Sequence, residues 1–493
     1  MVAAGCGAGT GTDETSQGGS LVYDEQIPPK ANWAPETDDA HALVRAGCLE
    51  TLVKYGYDGD PEPMLATKWT QVDDTNWQFT LRDGVKFQNG DPMDADAVVG
   101  AIDHVLKAQT PARALNPKVI SAVSAVDKST VQVTTTAPDP VLPLRFASPN
   151  SGILAPEAYS GSQINIKGTC TGPFTVTKEV PAQSLSLKAN KSYWGGKPKI
   201  ASAEVRFIVD GATRTTQIQT GEAQIVRGIP AASLATVKGD DSVQTTTVAL
   251  PRTTVMLLNN KKPPFDNPLV RQAIQQAVDT KAIIDGVYEG SGEPAVGPFS
   301  PDTPWAAADA QAVGGDMAQA QSLFQQAGVD PKSLSITLLA YTDRPEFADL
   351  ATVIQDQLKQ LGIKVKIKTG EYAGMEPDLL AGNFDAALFS RGYLVDVADP
   401  GSYFVSDWTC DGGYNIAHYC DKQTDQMIAD AVATKDQDSR NQKFAEIGAR
   451  LQSQAASDFL VHEEATWGLR SNVSGFKAHP LDYYVLTADL SVD

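Results

Sequence analysis

The chain has 493 residues, 42% of them hydrophobic and 20% charged, a globular mix long enough for about three domains and able to bury a substantial core. Sixty acidic residues against forty basic ones leave a formal charge of −20, a field that repels phosphate backbones and anionic membrane surfaces and argues against nucleic acid as a partner. No run approaches the roughly 18 consecutive apolar residues that a membrane-spanning helix needs.

Met1 to Cys6 read Met-Val-Ala-Ala-Gly-Cys, small residues directly before a cysteine. Gly7 to Ser20 are Gly, Ser, Thr and acid with almost nothing apolar, so residues 1–19 cannot repay their ordering entropy and read as a flexible tether. This start resembles the end of a bacterial lipoprotein signal, which makes Cys6 the expected site of lipidation. The charged start and long apolar segment of a secretory signal do not precede it, so the start reads as trimmed or internal.

Farther along, Trp77, Phe79 and Leu81 alternate with Gln78, Thr80 and Arg82, the period of a half-buried strand. Asp83-Gly84 and Asn89-Gly90 are turn pairs that bracket a short expected strand at Val85 to Phe87. Asp94-Ala95-Asp96 caps a helix with Val98, Val99, Ile102 and Val105 on its apolar stripe. Leu185 and Leu187, then Val205, Phe207 and Val209, alternate as strands on either side of the turn cluster Tyr193 to Pro198. After about residue 253 the pattern changes to strands alternating with long helices. Asn267-Pro268 opens a helix with Val270, Ile274, Ala277 and Val278 on one face, proline standing in the first turn where its missing N–H costs nothing. Leu334 to Leu339, the helical stripe from Phe347 to Leu361 closed by Gly362, and the alternating Ile363, Val365 and Ile367 form a β-α-β unit with parallel strands.

Apart from Cys6, four cysteines remain, allowing three connectivities. Cys410–Cys420 with Cys48–Cys170 is the favoured pairing, because Cys410 and Cys420 bracket a short loop rich in Gly, Asp and Tyr that a bridge would restrain. His418 lies two residues from Cys420, but four well-spaced metal ligands are not present there. Paired cysteines and an export signal imply an oxidising compartment outside the cytoplasm.

Chemistry is hard to find. There is no nucleophile elbow around a serine, no phosphate-cradling loop and no dinucleotide fingerprint. His462-Glu463-Glu464-Ala465-Thr466 begins like a zinc-protease helix but has Thr where the second His is required. The five histidines are scattered, so an enzyme is disfavoured and neither cofactor nor resident metal is expected.

Leu81-Arg82-Asp83-Gly84-Val85-Lys86-Phe87 with Gly90 and Pro92, Thr171-Gly172-Pro173-Phe174, Tyr193-Trp194, and Asn267-Pro268 with Val270-Arg271-Gln272-Ala273 follow one another in a familiar order. Together they resemble the extracytoplasmic solute-binding proteins of ABC importers, in the peptide- and nickel-binding class known as family 5. The match runs from about residue 20 to the C-terminus. The resemblance implies an α/β fold with mixed sheets, two lobes of the periplasmic-binding-protein kind closing on a hinge, and an extra inserted domain, three domains in all. Domain I would comprise residues 20–55, 156–252 and 459–493, domain II 56–155, and domain III, the second lobe, 253–458. The hinge is expected near Arg252 to Leu258 and near residue 458.

In di- and oligopeptide binders of this family, the segment matching Arg391 to Pro400 carries an aromatic residue, two small or apolar residues and an aspartate that accepts the peptide's α-ammonium. Tyr393 and Asp396 match that spacing, although Tyr replaces the frequent Trp and Leu394-Val395 is bulkier than usual. Read without the family, Asp396 is a loop or capping acid. Arg391 suits a ligand carboxylate or a surface salt bridge equally. Trp408, Tyr414 and Asn415, and Trp33 in the other lobe, are expected to line the cleft or simply to pack. The resemblance implies a lipid-tethered, monomeric receptor, anchored outside the cytoplasm, that hands short peptides to ABC permease subunits. The alternatives are a nickel chelate, an opine-like compound or an oligosaccharide held through His418 and Arg391, and, in another class, a secreted peptide hydrolase.

Overall fold

The computed structural model describes residues 18–112, 114–394 and 397–493. Cys6, Arg113, Val395 and Asp396 lie outside the described residues.

Eleven strands among the described residues form one mixed sheet that runs through both lobes. Its order is Lys364–Gly370, Ser335–Tyr341, Ala386–Gly392, Val243–Leu258, Asp458–Arg470, Ile225–Arg227, Ser20–Glu25, Ser202–Phe207, Ser184–Ala189 and Phe174–Val180, with Glu293–Pro294 pairing beside Asp458–Arg470. A separate four-stranded antiparallel sheet, Ala66–Gln71, Asn76–Leu81, Thr130–Thr135 and Ile120–Asp127, occupies the 56–155 region. Each region buries its own apolar cluster.

Local signals explain most of these elements. Trp77, Phe79 and Leu81 are the buried face of Asn76–Leu81. Asp94 accepts from the Ala97 N–H at the start of the helix Ala95–Leu106, which buries Val98, Ile102 and Val105. Asn267 caps Pro268–Ala277 by accepting from the Leu269 N–H. The β-α-β unit is Ser335–Tyr341, Glu346–Lys359 and Lys364–Gly370, with its two strands parallel. Two strand expectations are corrected. Val85 to Phe87 form no strand: Lys86 makes an isolated bridge to Pro92 between the two turns, too short a span for a ladder. Val209 lies beyond the end of Ser202–Phe207 and is exposed, because Asp210 already caps the next helix, Gly211–Thr220.

The two lobes meet where Val243–Leu258 runs antiparallel to Asp458–Arg470. Ala249 pairs with Glu464 and Thr253 with His462, so Leu250, Pro251 and Arg252 bulge opposite Glu463. The Glu463 carboxylate is buried there. It accepts from Thr254 Oγ1 at 2.8 Å, Ser390 Oγ at 2.5 Å and Arg344 Nη2 at 2.7 Å. Burial alone would raise its pKa, but the Arg344 and Arg252 guanidiniums outweigh burial and hold it below the usual range.

Three of the four motifs that carry the family resemblance meet at one joint between the 56–155 region and the first lobe, while Asn267-Pro268 opens a helix of the second lobe. Tyr193 Oη and Trp194 Nε1 donate to the buried Glu50 carboxylate at 2.7 and 2.8 Å, and the Arg82 guanidinium lies 4.3 Å from the centre of the Trp194 ring. Gln88 donates to the Gly172 and Phe174 carbonyls. Gly172 must be glycine: a Cβ there would stand 2.5 Å from the Gly47 carbonyl oxygen and 2.6 Å from that of Cys48. Nearby, Cys48 is bridged to Cys170, and in the second lobe Cys410 is bridged to Cys420. His462 to Thr466 lie in a strand, Asp458–Arg470, and His462 packs beside Thr253.

Candidate functional site

A cavity of about 590 Å³, within the size range of small-ligand sites, opens between the lobes. The first lobe and the 56–155 region contribute Tyr55, Tyr57 to Pro61, Leu144, the strand segment Thr247 to Pro251, and Pro480 and Leu481. The second lobe contributes Ser300, Asp302 to Trp305, Tyr393, Leu394, Ala398, Asp399, and Gln437 with Asp438 and Asn441. The bulge at the lobe crossing, Leu250 to Arg252, therefore carries two residues of the wall, which couples the angle between the lobes to the cavity's width.

Tyr393 is the predicted residue that lines this cavity. It is buried, its N–H donates to the Pro251 carbonyl at 3.0 Å, and its ring meets Phe299 edge-on at 5.0 Å. Burial lifts its phenol pKa above the ordinary value, so it is a neutral hydrogen-bonding wall rather than an anion. Asp396 lies outside the described residues, but the chain on both sides of it, Leu394 and Ala398, faces the cavity. Val397 and Ala398 are buried within the apolar cluster of the 56–155 region, so this second-lobe segment docks into the opposite half of the molecule.

The other predicted residues fall elsewhere. Arg391 is committed to Asp407, Nε to Oδ1 at 2.7 Å and Nη2 to Oδ2 at 2.9 Å, and its guanidinium stands 5.0 Å from the centre of the Tyr414 ring. With Trp408 and Tyr414 it borders a recess of about 20 Å³, too small for a ligand. Trp408 packs against Tyr403, Tyr419 and Phe459. Tyr414 shares a hydrogen bond with Tyr372 and donates to Glu376. Asn415 ties the disulfide loop together, donating to the Thr409 and Tyr419 carbonyls at 2.9 and 2.6 Å. Trp33 is buried in the first lobe, where its indole donates to Glu179 at 2.6 Å. His418 borders a different recess, beside the Cys410–Cys420 loop. An aromatic residue followed by polar ones signals a core position as readily as a cleft wall, which is why these assignments scatter.

Sequence reasoning did not single out most of the cavity wall. Tyr55, Tyr57 and Trp305 add aromatic surface, and Asp58, Asp60, Asp302, Asp399 and Asp438 add carboxylates. Asp399 is paired with Arg440, Oδ2 to Nε at 2.9 Å and Oδ1 to Nη2 at 2.8 Å. No Lys, Arg or His belongs to the lining among the described residues. Asp58, Asp60, Asp302 and Asp399 lie on loops, where no periodicity marks a residue as facing inward, and Asp438 stands in the exposed first turn of the helix Gln437–Ser453. Among the described residues there is also no group of three or more His, Cys, Asp or Glu placed to hold a metal ion, and no helix long and apolar enough to cross a membrane.

Residues 60–415 match the family described as bacterial extracellular solute-binding proteins, family 5 Middle. A probable D,D-dipeptide-binding periplasmic protein, DdpA of Escherichia coli, is 29% identical over 92% of this chain and 90% of its own length. The nickel-binding protein NikA of Staphylococcus aureus is 25% identical over 99% of this chain and 96% of its own. The solved structure of a nickel ABC transporter protein from Bacillus halodurans superposes with a TM-score of 0.83 at 27% identity, covering 96% of this chain and 100% of that one.

Proposed function

The chain belongs to the bacterial extracellular solute-binding proteins of family 5, and on that footing we propose that it captures short peptides between its lobes and delivers them to the membrane subunits of an ABC importer. The observation that carries this reading is the interlobe cavity, walled by aromatic rings and carboxylates, with Tyr393, Leu394 and Ala398 of the Asp396 segment on its lining. In this reading Asp396 accepts the peptide α-ammonium, two charges that are each costly to desolvate alone and favourable together. Tyr393 and the strand edge Thr247 to Pro251 flank the peptide backbone. The Arg391–Asp407 pair braces the segment from behind and leaves ligand carboxylates to other groups. The protein does no chemistry in this scheme: closure distinguishes the loaded from the empty receptor. Cys6, as the lipidated residue, tethers a monomer outside the cytoplasm through the 1–19 segment.

Calorimetry against di- to pentapeptides tests the reading. Asp396→Ala should cost roughly 2–5 kcal/mol of binding, and N-acetylation of the peptide should weaken the wild type comparably. Equal affinity of the variant and the wild type for free and acetylated peptides would remove the anchor. A second reading, a cationic metal chelate in the same cavity, is favoured by the nickel-binding relative and the acidic lining. Stoichiometric nickel in protein purified without chelators would decide for it.

A further inference from the structure

We infer that the interlobe cavity selects peptides that carry a basic side chain, an inference that rests on the peptide reading above and adds its charge preference. Five aspartates and no Lys, Arg or His belong to the lining among the described residues. Asp399 is spent on Arg440. Asp58 and Asp60 on one wall and Asp302 and Asp438 on the other have no ion-pair partner among the described residues, and all four are exposed at the rim. Lys54 and Lys477 stand over the Tyr57 ring but are not part of the lining. A dipeptide with two apolar side chains would bring a carboxylate into this field with no cation to meet it, whereas a lysine or arginine side chain meets carboxylates from both walls.

The aromatic walls suit the same ligand, because a cation held between carboxylates over a phenol or indole face gains from each. Trp305 provides a second, independent pointer. It is 6% exposed, it lines the cavity, and its indole N–H has no hydrogen-bond partner. A buried donor left unsatisfied costs free energy until an acceptor arrives. That nitrogen is shielded from solvent, so a peptide carbonyl meets it only once the indole turns toward the cavity. The geometry thus divides the work: Asp302 and Asp438 with Asp58 and Asp60 read side-chain charge, and Trp305 reads the ligand backbone.

Titration calorimetry with Ala-Lys-Ala, Ala-Ala-Ala and Ala-Glu-Ala tests the inference. The lysine peptide should bind at least tenfold more tightly than the alanine peptide, and the glutamate peptide most weakly. The double variant Asp302→Asn, Asp438→Asn should shrink the lysine-to-alanine ratio to below threefold. Trp305→Phe should weaken all three peptides by a similar factor and leave the ratio intact. Three wild-type affinities within twofold of one another, or a ratio that survives the double variant, would overturn the charge preference while leaving the peptide reading standing. Failure of all three peptides to bind would overturn the peptide reading itself.

Discussion

Asp399 and Arg440 form a two-pronged ion pair, with side chains 4% and 2% exposed, and Asp399 lines both the interlobe cavity and a neighbouring recess of about 350 Å³. The same guanidinium donates through Nη1 to the Ala431 and Val432 carbonyls, near the end of the helix Lys422–Ala433. One side chain therefore pins the cavity wall to the helical layer behind it.

Removing Arg440 strands the Asp399 carboxylate in a dry site. Arg440→Ala should lower the unfolding free energy by about 3–5 kcal/mol, read from the urea midpoint. A loss under about 1 kcal/mol would place the pair among exposed ones of little worth.

Closure should depend on apolar docking more than on surface charge. Val397 is buried in the cluster of the 56–155 region, whereas Lys435 reaches Asp74 across the lobes at 2.7 Å with both side chains well exposed. Val397→Ala removes two methyl groups, about 1.6 kcal/mol of burial, and should weaken ligand binding roughly tenfold by destabilising the closed form. Lys435→Ala should change affinity by less than about twofold, since exposed pairs contribute little. Calorimetry on both variants decides, and the opposite ranking would refute the docking argument.

Asp458 offers a pH prediction. It is fully buried, neither carboxylate oxygen has a hydrogen-bond partner, and burial drives its pKa well above the ordinary value. The folded protein keeps this proton while the unfolded chain releases it near pH 4, so stability falls as pH rises above that point, until the folded group also ionises. Asp458→Asn removes the penalty. Urea unfolding should show a stabilisation by the variant that is larger at pH 8 than at pH 5; an equal gain at both would rule out titration as its source.

Elements whose signals are local could be read from the residues. The Asp94 cap and the alternation at Trp77 to Leu81 each specify their structure within a dozen or so neighbours, and the β-α-β unit within the single stretch Ser335 to Gly370. The pairing of Val243–Leu258 with Asp458–Arg470 joins segments about two hundred residues apart, and nothing in either run names its partner. The same holds for the site. Tyr393 was reachable through the family spacing, but Asp302 and Trp305 on one loop and Asp438 on the helix Gln437–Ser453 are brought to one cavity only by the folded chain. Arg391 shows the converse: a guanidinium in a promising segment says nothing of the aspartate sixteen residues on that claims it.

The ladder that passes from one half of the molecule to the other, offset at Leu250 to Arg252 and again between Thr254 and Val255, makes the molecule two plates on a torsion bar. Strand register forbids sliding, so what remains is twist about that short bulged stretch. A transporter touching both plates could then sense occupancy as a single angle, whatever side chains the cargo carries.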